Sequence, residues 1–62
     1  MPVITVEAGS LSKEQKERLA KELTESASKI MGIPLQGFIT ILKENPYDNV
    51  AVGGTLLSES RK

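Results

Sequence analysis

A chain of 62 residues makes one domain at most and buries only roughly 60% of its unfolded surface, so its fold needs outside support. With no Cys and no His, a disulfide and an ordinary zinc site are both excluded, which leaves association with further copies as the favoured support. Eight Lys+Arg balance eight Asp+Glu, so no overall field draws the chain to nucleic acid or an anionic membrane, and Phe38 and Tyr47, its aromatic residues, make no stacking platform for bases.

The run Val3-Ile4-Thr5-Val6-Glu7-Ala8 is rich in β-branched residues and predicts a strand over 3–8, with an apolar face of Ile4, Val6 and Ala8 and a mixed face of Val3, Thr5 and Glu7. Gly9-Ser10 ends it. From Ser12 the period changes. Ser12-Lys13-Glu14-Gln15 matches a capping box, and Leu19, Ala20, Leu23, Ala27, Ile30 and Met31 recur at the spacing of one helix face. Glu14/Arg18, Glu17/Lys21 and Glu25/Lys29 stand four apart on the solvated side, each pair worth ~0.2–0.5 kcal/mol. Gly32 and Pro34 supply the stop, so a helix is expected over 13–31.

Phe38-Ile39-Thr40-Ile41-Leu42 is nearly continuous in apolar and β-branched residues, the pattern of a strand covered on both faces. The order strand, helix, strand predicts a right-handed crossover and parallel pairing. The stretch 44–49 is rich in turn formers, 50–52 is a short strand candidate, and Gly53-Gly54 marks a tight turn after which the tail folds back as a short arm. The expected fold is therefore α/β: a single βαβ unit with parallel strands plus a short C-terminal β-hairpin or arm, spanning 1–62 as one domain. One sheet face and both edges stay uncovered, so oligomerisation completes it. No apolar run approaches the ~20 residues that span a bilayer, and no signal core opens the chain, which predicts a cytoplasmic protein with no membrane partner.

The catalytic inventory is thin: no Cys, no His, no metal set and no Gly-rich phosphate loop. What stands out is Pro2 directly behind Met1. If Met1 is removed, Pro2 becomes a secondary amine with a reference pKa near ~7.7–8.0, and an apolar pocket lowers that value by disfavouring the cation. A neutral amine is a competent general base. While Met1 remains, the same nitrogen is a tertiary amide with its lone pair delocalised.

Met1-Pro2-Val3-Ile4 opening a strand, Glu14-Gln15-Lys16 at the helix start, Pro34-Leu35 before the second strand and Val50-Ala51-Val52-Gly53-Gly54 near the end together resemble the 4-oxalocrotonate tautomerase family. The Glu44-Asn45-Pro46 turn and the Asn49-Val50 approach to the glycines are similar to its DmpI-like branch. This resemblance implies a βαβ fold assembled as a homo-oligomer, a hexamer built as a trimer of dimers, without metal or organic cofactor. It also implies an isomerase in which Pro2 moves a proton within a 2-keto acid or enol substrate.

In that family two arginines and an aromatic residue hold the substrate. The matching positions here are Leu11 (or Ser10, since the loop differs in length), Ile39 and Val50, none of them cationic or aromatic. A Leu or Ile does not replace a bidentate guanidinium, so turnover of a dicarboxylate is expected to be poor. The arginines of the chain, Arg18 and Arg61, match neither position. Lys43, on the parity of Ile39, and Arg61, reaching from a neighbouring copy, are the candidate replacement cations, and a different partner chain supplying the arginines is a third route. A second reading keeps the fold and the proline but makes the chain a catalytically silent oligomer or small-ligand binder.

Overall fold

A computed structural model describes residues 1–60. Strand β1 (Val3–Ala8) leads through a short loop into helix α1 (Lys13–Met31), and strand β2 (Ile39–Glu44) returns alongside β1. The two strands pair in parallel, with Val3 opposite Ile39, Thr5 opposite Ile41 and Glu7 opposite Lys43. A second, antiparallel pair, β3 (Ala51–Val52) and β4 (Thr55–Leu56), forms a hairpin, followed by one turn of helix, α2 (Leu57–Ser60). Single 3-10 turns at Leu35–Gly37 and Tyr47–Asn49 carry the chain into β2 and β3.

Local sequence explains the boundaries. Ser12 is the N-cap, and its hydroxyl accepts from the Gln15 amide at 3.1 Å while Gln15 Oε1 accepts from the Ser12 amide at 2.9 Å, which completes the capping box. At the other end Gly32 takes the left-handed conformation (φ 69°) and donates to the Ser28 carbonyl, as an αL cap requires. Gly53 and Gly54 both have positive φ, the demand of a two-residue turn whose twist matches its strands. The chain after that turn folds back, as expected, pairing through β4 and then forming α2.

Helix α1 lies on one face of the β1–β2 pair. Ile4, Val6 and Ala8 of β1 and Thr40 and Leu42 of β2 are half-buried there, against Leu19, Ala20, Leu23 and Ala27 of the helix. The joint also contains a polar contact, Thr24 Oγ1 to Thr40 Oγ1 at 2.8 Å. Two apolar helix residues expected on this face are not on it: Ile30 is 85% exposed and Met31 is also exposed. Their spacing marks a face that α1 does not turn toward its own sheet.

The opposite sheet face is bare. Val3, Ile39 and Ile41 are 55, 44 and 41% exposed, so β2 is covered on one face within the chain, not on both. Among the described residues none is fully buried. The accessible surface is 4851 Å², against about 3,900 Å² for a folded monomer of 6.7 kDa. The radius of gyration, 15.0 Å, likewise exceeds the roughly 11 Å of a compact chain of this length. No helix among the described residues is long and apolar enough to cross a membrane.

Candidate active site

Pro2 stands immediately before β1 and is half-buried. Its carbonyl accepts from the Ile39 amide at 3.1 Å, which carries the parallel ladder one residue beyond the strand and fixes the proline backbone. Met1, 88% exposed, acylates the proline nitrogen and projects into solvent. Ile39 and Val3 flank this end on the bare sheet face. The ladder neighbours of Pro2, namely Val3, Phe38 and Ile39, are therefore apolar and none of them is a cation.

The remaining candidate residues gather at the other end of the sheet. β1 has six residues, so its ends lie about 20 Å apart. Ser10 is exposed and Leu11 half-buried in the loop after β1. The Leu11 amide donates to Glu44 Oε2 at 3.4 Å, and the other oxygen of Glu44 is ion-paired with Lys16, which ties the loop to the end of β2. This Lys16 hydrogen bond, helped by the Leu11 amide and the Lys16 charge, holds the Glu44 carboxyl below its ordinary value despite some desolvation. Lys43 lies on the bare face, exposed, with Glu7 as its Cα partner.

Val50 follows the Tyr47–Asn49 turn, half-buried, and its carbonyl accepts from the Leu57 amide at 2.8 Å. It lines an open cavity of about 220 Å³ together with Glu7, Ala8, Gly9, Asn45 and Tyr47. Within one chain the structure thus joins Ile39 to Pro2 and separates both from Ser10, Leu11, Lys43 and Val50. Arg61 lies outside the described residues. Arg18 is committed to Glu22, Nε to Oε2 at 2.8 Å, a bond that raises its pKa; the expected Glu14 partner is not used.

Three residues of the cavity were not singled out by sequence. Glu7 accepts at Oε1 from Asn45 Nδ2 at 3.1 Å, across 38 positions of chain. The Tyr47 ring packs over Gly9, where an added Cβ would lie 3.4 Å from Cε1. Tyr47 was legible as an aromatic residue near the glycine pair, while the Glu7–Asn45 contact follows only from strand register. A larger groove of about 340 Å³ runs along α1 over Leu11, Gln15, Leu19 and Leu23, away from Pro2. Among the described residues no group of three or more His, Cys, Asp or Glu is placed to hold a metal ion.

A parallel βαβ unit with a proline leading its first strand and a C-terminal hairpin defines a small tautomerase-type α/β protein, and the comparisons agree. The family described as "Tautomerase enzyme" matches residues 2–60. A Bacillus cereus protein described as "Probable tautomerase" is 33% identical over 60 residues, 95% of this chain and 98% of that protein. The crystal structure of a 4-oxalocrotonate tautomerase homologue superposes with a TM-score of 0.88 at 37% identity, over 95% of each chain. A heterohexamer 4-oxalocrotonate tautomerase from Chloroflexus aurantiacus gives 0.80 at 29% identity, again over 95% of each chain. The chain belongs to the tautomerase family.

Proposed function

We propose that this chain is a keto–enol tautomerase in which the Pro2 amine, freed by removal of Met1, is the general base. The observation that carries this reading is the placement of Pro2: half-buried, pinned by its carbonyl to Ile39, and bordered by an aliphatic sheet face. An amine with a reference pKa near ~7.7–8.0 is substantially neutral at neutral pH, and apolar surroundings favour the neutral form further. In the reaction its lone pair takes the enol O–H proton, the O–H bonding pair becomes the carbonyl π bond, and the C=C pair takes a proton from the proline ammonium at carbon. The amine is regenerated, and no oxidant or cofactor is consumed.

The site is completed by assembly. Surface in excess of a compact monomer, a bare face bearing Val3, Ile39 and Ile41, and a similar protein that is a heterohexamer all support an oligomer. A homohexamer, arranged as a trimer of dimers, would bring Leu11 and Val50 of one copy to Pro2 of another. The substrate is an enol or 2-keto acid handled in the cytoplasm.

One observation favours a second reading, a silent or weakly active oligomer that binds small ligands: Leu11, Ile39 and Val50 offer no charge for a carboxylate. Rates of ketonisation of phenylenolpyruvate and of its methyl ester separate the two. The enzyme reading expects a rate above buffer and a lower rate in Pro2→Ala, whose primary amine is less fixed; equal rates for the two proteins would remove it. Intact mass gives the fraction of chains lacking Met1, to which activity should be proportional.

A further inference from the structure

We propose that Glu7 makes this site disfavour carboxylates, so that among enol and 2-keto substrates it turns over the uncharged ones faster than the acids. The proposal rests on the tautomerase reading above, in which the cavity at Val50 serves the Pro2 of a neighbouring copy.

The cavity is largely apolar, with Ala8 and Val50 in its lining and the Tyr47 ring closing over Gly9. Among the described residues its one charged lining group is the Glu7 carboxylate. That carboxylate is oriented. Oε1 accepts from Asn45 Nδ2 at 3.1 Å, and Asn45 is itself anchored, its amide donating to the Ala8 carbonyl at 2.7 Å. The cations among the described residues of this region do not cancel it. Lys16 is ion-paired with Glu44, and Arg18 with Glu22 on the helix. Lys43 stands opposite Glu7 in the ladder but neither lines the cavity nor makes an ion pair with Glu7.

A carboxylate brought into a cavity already lined by an oriented carboxylate meets like-charge repulsion, which solvent reaching the exposed Glu7 screens in part. A neutral enol keeps the apolar contacts with Val50 and Tyr47 and meets no such penalty. The amide of Asn45 adds a group that hydrogen-bonds a carbonyl or hydroxyl without requiring charge. Leu11 and Ile39 offer no attraction for an anion; Glu7 adds repulsion, the second half of a specificity device.

The test uses the assembled protein lacking Met1 and two substrates that differ in charge, phenylenolpyruvate and its methyl ester. The wild-type protein should have the higher kcat/KM for the ester. Glu7→Gln keeps an acceptor for Asn45 and should raise the anion-to-ester ratio of kcat/KM roughly tenfold. Raising the salt concentration should increase the same ratio in the wild type and leave it flat in the variant. A wild-type preference for the anion, or a ratio unmoved by both Glu7→Gln and salt, overturns the proposal.

A second arm needs no turnover. Cinnamamide and cinnamate, followed by the backbone amide shifts of Gly9 and Val50, should bind the wild type in that order of affinity, and Glu7→Gln should close the gap. Equal affinities in the wild type, or no shift with cinnamamide at millimolar concentration, also overturn it. If Pro2→Ala ketonises as fast as the wild type, the tautomerase reading fails while this binding arm still decides the role of Glu7.

Discussion

The Pro2 carbonyl and the Ile39 amide are joined by a 3.1 Å hydrogen bond, so the residue proposed as the base is part of the sheet and not a loose terminus. Pro2→Ala preserves that carbonyl and should preserve the fold, since the bond uses backbone alone. The variant keeps a primary amine of similar basicity but less fixed geometry, so kcat on an enol should fall by less than the roughly 10²–10⁴-fold contribution of a positioned proton-transfer group, whereas a chain retaining Met1 should lose all of it. Steady-state kinetics alongside circular dichroism checks both halves.

Ile41 occupies the middle of the bare sheet face, between its neighbours Ile39 and Lys43 on the same side. If this face is covered by another copy, Ile41→Glu places a charge where an aliphatic side chain contributes about 1.5–3 kcal/mol. Sedimentation velocity should then show a shift toward smaller species at micromolar concentration. An unchanged sedimentation coefficient would place the contact surface elsewhere.

The Thr24–Thr40 contact predicts a characteristic pattern of stability. Thr24→Val leaves the Thr40 hydroxyl without its helix partner in a part-buried joint and should cost about 1–3 kcal/mol. Replacing both threonines by valine removes donor and acceptor together and should recover most of that loss. Urea melts at one fixed protomer concentration, arranged as a double-mutant cycle, measure the coupling.

Glu44 predicts an acid-side effect. Its carboxyl is held below its ordinary value, first by the Lys16 hydrogen bond and then by the Leu11 amide. A depressed folded value means that the pair contributes stability above the unfolded carboxyl pKa of ~4.3, and that this contribution disappears as the pH falls through the folded value. Lys16→Met should move the titration midpoint of the Glu44 carboxyl, followed by its resonance, back up toward the ordinary range. The stability difference between wild type and Lys16→Met should shrink as the pH is lowered below about 4.3.

Most of the fold was legible because its punctuation is local. Ser12 and Gln15 close a capping box within one turn, Gly32 needs only its own φ, and Gly53-Gly54 turns the hairpin with no help from elsewhere. Composition alone marks the second strand as 38–42, whereas register with β1 carries it from Ile39 to Glu44, because Ala8 pairs with Glu44. Periodicity assigned Ile30 to the covered side of the helix, yet it is exposed; apolar spacing does not say whether a chain's own sheet or a neighbour is the cover. In sequence Thr24 reads as a solvated threonine between apolar positions, and only its partner Thr40 on β2 gives it a role in the joint. For the site, the Pro2–Ile39 adjacency followed from parallel pairing, while Glu7 meeting Asn45 required the end of the ladder in three dimensions.

No described residue is fully buried in a single chain, and this makes folding a matter of numbers as well as of sequence. A protein with no interior of its own borrows one from its neighbours, and its stability then depends on how many neighbours there are. Dilution should act on such a chain as a denaturant does, lowering the midpoint of thermal unfolding as protomer concentration falls. The level at which the chain is synthesised would then help to decide whether it is folded at all.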